Sequence, residues 1–496
     1  MITKTEERSN KIFKFLKQHW ILITIILITA IIRLYFFQGT VMSGQASWWD
    51  SAEYLSQGTH YATGLPYEVN PQRPPAFQYA IAGLLAFGAN ETIIILLLSL
   101  IPSLLVIYLT YLLTTSMLGK RTGLIASAFC AASWNFLFWS NRAQPDFLSL
   151  CFQLLAIYYF WKMLKGKDKT KTAILAGLYT ALGFYFKISA LLIPMVFFIF
   201  ILIKEGFNIV KKKEYWIYAG SYLIFMLPYF AWAYLTFENI FAFTTGYSNS
   251  IAAAIPFGWN TLIFFNIFGL RLMFFIFIAG LILYLRLILY FDIIIKEKEH
   301  AFDYRLLLLI LITVVLSFFI FYIRGVEDRW VFILLPIMCI LCADILNKLC
   351  DWFDGKDLKW VGILIVVVLL AGSAYEQIDY GKATIENKKD SYSQIKDASE
   401  WMKVNSMPNE LIMSVSYPQT LFYSQREVMT YSNMNQSTFE EYVRLNHPSF
   451  LFVSSIEPNH PQFIFNWILD ESKVMPVNGY ADQAGNTVAV VYRFLY

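Results

Sequence analysis

A short polar segment after the first long apolar run carries residues that suit acid–base chemistry. It reads WWDSAEYL from Trp48, and Gln57 and His60 follow it. Three or four residues make one helical turn, so a helix here would place Asp50, Glu53 and Gln57 on one face, with Tyr54 and His60 nearby. A carboxylate on such a face can accept a proton from a reacting group, and Asp50 can also simply cap a surface helix. Both interpretations stay open.

A proline-rich turn follows and contains one arginine. Residues 70–75 read NPQRPP, and the prolines on both sides of Arg73 restrict its backbone. The apolar stretch from Pro75 to Gly88 is short for a membrane span and predicts a second helix lying in the interface. A guanidinium held at the membrane surface can bind phosphate oxygens bidentately, although contact with lipid headgroups would explain the same residue.

Further charged residues stand alone at the ends of apolar runs. Charges at membrane depth are costly, and they usually line a cavity or a site. Structural explanations exist for two of them: a helix dipole favours Asp146, and Lys187 can extend its ammonium group to the interface. They are Arg142, Asp146, Lys187, Arg271, Arg324, Glu327, Asp328 and Arg329.

The composition predicts a polytopic helical membrane protein. Of the 496 residues, 57% are hydrophobic and only 15% are charged, whereas soluble domains carry roughly a quarter charged residues. The net charge of +4 comes from short basic clusters and does not argue for nucleic-acid binding. The five cysteines lie in or beside apolar runs and predict no disulfide framework. We predict eleven spans, near 19–38, 92–117, 122–140, 146–163, 172–186, 188–204, 215–236, 271–292, 305–323, 329–349 and 359–376.

Basic residues recur in alternate loops between these spans. The positive-inside rule therefore predicts a cytoplasmic N-terminus and an extracytoplasmic C-terminus. The isolated charged residues described above then gather on the outer side. We predict a transmembrane domain over 1–376 and a small extracytoplasmic α/β domain over 377–496. Within the latter, the pattern predicts helices at 393–404, 437–445 and 461–471 and strands at 411–416, 450–453 and 487–491.

Taken in order, these motifs resemble the GT-C membrane glycosyltransferases that use lipid-phosphate sugars. The similarity is to the aminoarabinose transferases and the protein O-mannosyltransferase-like proteins. It covers nearly the whole chain. The motifs that carry it are Asp50 in WWDSAEYL, Arg73-Pro74-Pro75, Pro145-Asp146, Lys187 in a short turn, and Glu327-Asp328-Arg329 before WVFILLPIM.

The resemblance implies a multi-pass cell-membrane enzyme that moves a sugar from an undecaprenyl or dolichyl phosphate to an acceptor, with inversion. Asp50 would be the base, with Asp146 and Glu53 as further catalytic carboxylates. Supporting roles fall to Glu327, Asp328, Tyr54 and His60. The cations expected to bind the donor phosphate are Arg73, Lys187, Arg329, Arg142 and Arg271.

Two departures from the family pattern bear on the cofactor. Aminoarabinose transferases carry Lys where this chain has Arg73, and a Glu that helps to hold a metal where it has Gln72. A divalent metal ion therefore stays an open question.

Several alternatives also stay open. They are a lipid-linked glycan polymerase or ligase, a transporter or flippase, and a non-catalytic receptor, although the chain shows no internal repeat of the kind common in transporters. The acceptor could be a lipid, a glycan or a protein. We also expect the loop from Glu238 to Trp259 to cover the site.

Overall fold

The computed structural model describes residues 4–166, 168–244, 271–289, 303–323, 327–457 and 459–496, and helices dominate it. Most of the helices precede the tail, and we number them in chain order. They are α1 (Lys4–Gly39), α2 (Trp49–Thr63), α3 (Ala76–Ala86), α4 (Glu91–Leu118), α5 (Lys120–Ala132), α6 (Trp134–Trp139), α7 (Asp146–Lys165), α8 (Lys169–Phe186), α9 (Leu192–Glu205), α10 (Lys213–Phe237), α11 (Leu272–Leu289), α12 (Asp303–Ser317), α13 (Leu334–Asp354) and α14 (Lys359–Lys388).

Each predicted span coincides with a helical stretch, as far as the described residues reach. The multi-pass helical architecture is therefore confirmed, whereas the count of eleven spans stays a prediction. Six helical stretches among the described residues are long and apolar enough to cross a membrane. They are Lys17–Gly39, Glu91–Leu118, Asp146–Lys165, Ile188–Lys211, Asp303–Ile323 and Lys359–Lys388.

Irregular backbone interrupts several of the predicted spans, and the local sequence explains one of the interruptions. Within α4, a π-helical turn at Leu96–Leu100 comes just before Pro102. Proline has no backbone N–H, so an α-helix would leave the carbonyl of Leu98 without its partner, and the wider turn accommodates this. The predicted span at 122–140 is broken at Ser133, whose extended backbone separates α5 from α6.

The helices pack around one large apolar core. Helix α7 lies against α4 and α8, and α5 lies against α4 and α13. Large apolar side chains on other faces stay exposed, among them Leu27, Ile28 and Ile31 on α1. Outward-facing apolar side chains are expected where lipid, rather than water, surrounds a helix.

The tail forms a small five-stranded sheet with helices around it. Its strands are β1 (Leu411–Ser414), β2 (Glu427–Met429), β3 (Phe450–Ser454), β4 (Val474–Ala481) and β5 (Thr487–Phe494). Their order in the sheet is β2-β1-β3-β5-β4, with β2, β1 and β3 parallel and β5 antiparallel to both β3 and β4. Helix α14 continues to Lys388, across the predicted domain limit at 376, so that division stays a prediction. The helices of the tail are α15 (Ser393–Val404), α16 (Tyr417–Ser424), α17 (Gln436–Asn446) and α18 (Phe463–Trp467).

The tail packs directly on the first polar segment. Helix α16 lies against α2, and the Ser56 hydroxyl donates a hydrogen bond of 2.6 Å to the Pro418 carbonyl. The rings of Tyr67 and Tyr417 stack with centroids 4.9 Å apart. Residues 51–59 of α2 are consequently buried, so this helix is enclosed by protein rather than lying on the membrane surface. The sheet and the candidate site therefore share one side of the molecule.

Candidate active site

Helix α2 begins one residue before Asp50, which places this carboxylate in the first turn. Glu53 follows one turn later on the same face, as the spacing predicts. The side chain of Asp50 is 31% exposed, whereas that of Glu53 is only 11% exposed. Asp50 is therefore the member of the pair that an incoming reactant can reach.

Arg73 links these two carboxylates. Its guanidinium donates a hydrogen bond of 2.9 Å to Asp50 Oδ1 and another to Glu53 Oε2, and it stacks over the ring of Tyr54 at 4.4 Å. The amide of Asn70 donates to the other oxygen of Glu53 at 2.7 Å. The proline-rich turn thus holds Arg73 rigidly against α2.

Arg329 approaches Asp50 from the far end of the sequence. It lies in a 3₁₀ turn at Asp328–Val331, donates to Asp50 Oδ2, and donates through Nε to Glu327 at 2.6 Å. Each oxygen of Asp50 therefore binds one guanidinium. Burial alone raises the pKa of the Asp50 carboxyl, but Arg73 and Arg329 together hold that pKa well below its usual range.

A second ion pair lies beside the first. Asp146 starts α7 and is buried, and the Lys187 ammonium donates to its Oδ1. Lys187 also donates a 3.0 Å hydrogen bond to the backbone carbonyl of Arg329. Burial lowers the pKa of Lys187, and the neighbouring carboxylate opposes that shift only in part. Four carboxylates and three cations thus form one connected cluster, which comprises Asp50, Glu53, Asp146, Glu327, Arg73, Lys187 and Arg329.

An aromatic wall adjoins this cluster and holds Arg142. The Arg142 guanidinium lies 3.6 Å from the ring centre of Trp48 and 4.5 Å from that of Phe138. Its Nε is buried and unbonded within the described part of the chain. Burial and the proximity of Arg329 lower the pKa of Arg142. Arg142 is therefore close to the cluster but not bound to its carboxylates.

Asp328 has a different surrounding from Glu327. Its Oδ2 accepts hydrogen bonds from Asn135 at 2.8 Å and from the Trp139 indole at 2.9 Å. Asp328 thus anchors the 3₁₀ turn to α6 and thereby fixes Arg329. Sequence reasoning missed Asn135 and Trp139, since both lie inside an apolar run.

Two predicted site residues are not brought into the cluster. His60 lies near the other end of α2, where its Nδ1 is 2.7 Å from the Leu65 carbonyl oxygen. Arg271 is exposed just before α11, and it forms no ion pair with the carboxylates of the cluster. Most of the loop expected to cover the site, residues 245–259, lies outside the described residues. The roles of His60, Arg271 and this loop stay predictions.

The residues present do not fit a divalent metal ion in their observed arrangement. Within the described ranges, no group of three Asp, Glu, His or Cys side chains is arranged so that it could hold a metal ion. Each oxygen of Asp50 and Glu53 is already bound to Arg73, Arg329 or Asn70. Metal ligation would first require these bonds to break.

The cluster can bind an anion and accept a proton at neighbouring positions. Guanidinium and ammonium groups stabilise charge that develops on a leaving phosphate, while a partly exposed carboxylate can serve as a base. Three separate turns supply the cations. Arg73 lies in the turn after α2, Lys187 in the turn before α9, and Arg329 in the turn before α13.

Comparisons with known proteins agree with this geometry. Residues 72–232 match the family model described as dolichyl-phosphate-mannose-protein mannosyltransferase. No curated protein sequence matches the chain.

Solved structures share the fold over nearly the full chain. The structure of ArnT from Cupriavidus metallidurans bound to undecaprenyl phosphate superposes with a TM-score of 0.68 at 10% identity, covering 95% of this chain and 98% of that one. The oligosaccharyltransferase AglB from Archaeoglobus fulgidus, in complex with an inhibitory peptide and dolichol phosphate, gives a TM-score of 0.60 at 13% identity, covering 96% and 74%.

The solved structures confirm the predicted GT-C fold, and the family model confirms the predicted enzyme class. The chain is a membrane glycosyltransferase of the GT-C fold.

Proposed function

We propose that this protein transfers a sugar from a polyprenyl phosphate to an acceptor on the extracytoplasmic side of the membrane, with inversion at the sugar carbon. The observation that carries this proposal is the position of Asp50, whose two oxygens bind Arg73 and Arg329. A carboxylate that bridges two guanidiniums occupies the kind of position that a phosphate group can also take. A donor phosphate would compete with Asp50 for the same cations.

Donor binding would then change the state of the base. When the phosphate draws Arg73 and Arg329 away, the Asp50 carboxylate loses its positive partners and becomes more basic. An acceptor hydroxyl or amine attacks the anomeric carbon and gives its proton to Asp50. The bond to the phosphate oxygen breaks, and the lipid phosphate leaves with its charge stabilised by the arginines and Lys187. Attack opposite the leaving group inverts the carbon.

Asp146 and Glu53 would have separate tasks. Asp146 is buried and its partner Lys187 is partly exposed beside Arg329, so Asp146 would hold Lys187 toward the departing phosphate. Glu53 is tied to Arg73 and Asn70 and would orient the Arg73 fork. Charged residues that act through a neighbour in this way need precise positions, which the two ion pairs supply.

The direct experiment is mass spectrometry of the lipid that copurifies with the protein. We expect a polyprenyl phosphate or its sugar-linked form, and we expect Arg73→Gln and Arg329→Gln to reduce its amount strongly. Arg444→Gln is the matched control, because Arg444 is an exposed residue of the tail. A full complement of lipid phosphate in both site variants would overturn the proposal.

The proposed membrane orientation can be tested separately. The basic loops support a cytoplasmic N-terminus and an extracytoplasmic tail, with eleven proposed spans between them. The native cysteines are all buried, so they give little background to a thiol reagent. A cysteine introduced as Ser472→Cys, on the exposed surface of the tail, should react with a membrane-impermeant maleimide on intact cells. Labelling only after lysis would overturn the orientation.

A further inference from the structure

An open cleft of about 350 Å³ lies between the transmembrane part and the tail. One wall is Trp48, which immediately precedes α2 and stands two residues before Asp50. The opposite wall comes from the connection between α14 and α15 and from the turn after β3. Its principal lining residues there are Lys388, Asp390, Tyr392, Gln394 and Ile456.

We propose that this cleft binds a neutral saccharide unit of the acceptor. The inference rests on the proposed transferase function and adds an acceptor class, namely a glycan or a glycolipid headgroup. It concerns a region separate from the charged cluster, because none of the ion-paired residues of that cluster lines the cleft.

The charge of the lining argues against an anionic ligand. Lys388 and Asp390 are its charged residues, and their formal charges cancel. The Asp390 carboxylate is further occupied at one oxygen by the Gln483 amide, at 3.0 Å. A phosphate or a carboxylated sugar would find no excess of cations here, in contrast to the site around Arg73 and Arg329.

The remaining lining suits a sugar ring better than an acyl chain. Ile456 is the aliphatic residue of the wall, whereas Trp48 and Tyr392 supply aromatic rings. Asp390 and Gln394 supply carboxylate and amide groups, which can bond to sugar hydroxyls. Aromatic faces beside a few fixed polar groups match a ligand with apolar C–H faces and many hydroxyls.

Tyr392 occupies this wall in an unfavourable backbone conformation. Its φ of +65° and ψ of 12° lie in the left-handed region, which side chains with a Cβ rarely adopt. Such outliers cluster at ligand clamps and active sites, where the surrounding structure maintains them. The Tyr392 carbonyl also accepts the first hydrogen bond of α15, from the Ile395 N–H at 3.1 Å.

The cleft is one aromatic layer away from the reacting groups. The ring of Trp48 lies 6.1 Å from that of Trp139, and Arg329 lies 5.1 Å above the Trp139 ring. Arg329 in turn binds Asp50. A saccharide chain held in the cleft could therefore extend a further residue past Trp48, so that its hydroxyl meets the base.

The test measures binding of neutral methyl glycosides to the full chain in nanodiscs by saturation-transfer NMR. The probes are the methyl glycosides of glucose, galactose, mannose, N-acetylglucosamine and N-acetylgalactosamine. The main variant is Tyr392→Gly, which removes the ring while glycine readily adopts the left-handed backbone. The matched control is His447→Gly, at another left-handed residue far along the tail, with φ of +44°.

We expect at least one glycoside to bind the parent and the His447→Gly control equally. Its affinity for Tyr392→Gly should fall about tenfold, as loss of an aromatic contact implies. A second variant, Ile456→Trp, should reduce binding by filling the cleft. If no glycoside distinguishes the parent from both cleft variants, the saccharide proposal is wrong.

A parallel measurement separates an acceptor sugar from the sugar of the donor. Copurifying lipid-linked sugar is quantified by mass spectrometry in each variant. Retention of the donor by Tyr392→Gly supports an acceptor site, and its loss would assign the cleft to the donor and overturn the proposal. Failure of the transferase function itself would be visible independently, as absence of lipid phosphate from the parent protein.

Discussion

The Tyr423 hydroxyl of the tail donates a hydrogen bond of 3.0 Å to the partly buried carboxylate of Glu91, at the start of α4. The same hydroxyl accepts the Ser47 backbone N–H at 2.7 Å, and the Ser47 hydroxyl donates to Glu91 at 2.6 Å. Because Ser47 lies three residues before Asp50, this contact joins the tail both to a membrane helix and to the segment that carries the proposed base.

Tyr423→Phe should therefore destabilise the protein. The substitution leaves the Ser47 N–H without its hydroxyl partner and removes one hydrogen bond to the Glu91 carboxylate. We expect the free energy of unfolding to fall by about 1–3 kcal/mol. The measurement is the apparent midpoint of thermal unfolding in nanodiscs. Tyr375→Phe is the control, because Tyr375 is 73% exposed on α14. Equal midpoints for the two variants would show that the hydroxyl contact contributes little.

Asp50→Asn should separate catalysis from donor binding. The amide cannot accept the acceptor proton, so transfer should be lost. It also removes the anion that competes for Arg73 and Arg329, so we expect undecaprenyl phosphate to bind about tenfold more tightly. Transfer is followed by release of the lipid phosphate, and binding is followed by native mass spectrometry.

The control for this substitution is Glu68→Gln, an exposed carboxylate in the same outer segment. It should change neither quantity. Unchanged transfer in Asp50→Asn would remove Asp50 as the base. Weaker lipid binding would show that the carboxylate supports the phosphate site instead of competing with the phosphate.

The sequence predicted much of the tail, and its omissions have a physical cause. Helix α15 matches the expected range of 393–404, and β1, β3 and β5 lie on predicted strands. β2 and β4 were missed, and they are the two edge strands of the sheet. Edge strands bury fewer side chains, so β2 and β4 lack the apolar alternation that indicates a strand.

The site was predictable in its local part only. The spacing predicted that Asp50 and Glu53 share one helix face, but it did not predict that both would pair with Arg73. The contact between Asp50 and Arg329 joins residues that are 279 positions apart in the sequence. Knowing that both residues lie on the same side of the membrane was not enough to predict it. The positive-inside rule also grouped Arg271 with these cations. The rule predicts on which side of the bilayer a residue lies, but not where on that side it lies.

Removing Lys187 should lower the stability of the protein more than removing a lysine from an exposed ion pair. Asp146 is 3% exposed, so Lys187→Met would leave a buried carboxylate uncompensated, at a cost of about 3–5 kcal/mol. The double variant Lys187→Met/Asp146→Asn should recover most of the thermal unfolding midpoint without recovering transfer. Lys382→Gln, from a pair whose side chains are more than half exposed, should have almost no effect.

The result that would contradict this prediction is a similar midpoint for Lys187→Met and Lys382→Gln. That outcome would mean that the Asp146 carboxylate is hydrated or protonated without loss of stability. Recovery of transfer by the double variant would show that the pair is structural and that neither charge is needed for the leaving phosphate.

The pH dependence of transfer should respond to Arg329. Arg73 and Arg329 face Asp50 and hold its pKa low, while Glu53 and Glu327 share these two cations. These ion pairs of Asp50 stabilise the folded protein at any pH above the ordinary carboxyl pKa of about 3.9. The stabilisation is lost as the pH falls through the lower pKa that Asp50 has in the folded protein. A base must be ionised, so the acid limb of kcat/KM should lie at acidic pH in the parent.

Arg329→Gln removes one of the two positive neighbours of Asp50, and the pKa of Asp50 should rise toward its ordinary value. The acid limb of kcat/KM should then move to higher pH by about one unit, in addition to an overall fall in rate. The measurement is a pH profile of kcat/KM for the parent, Arg329→Gln and the distant control Arg444→Gln. A rate that falls equally at every pH would mean that Arg329 acts on the donor phosphate alone, and that the ionisation of Asp50 does not limit transfer.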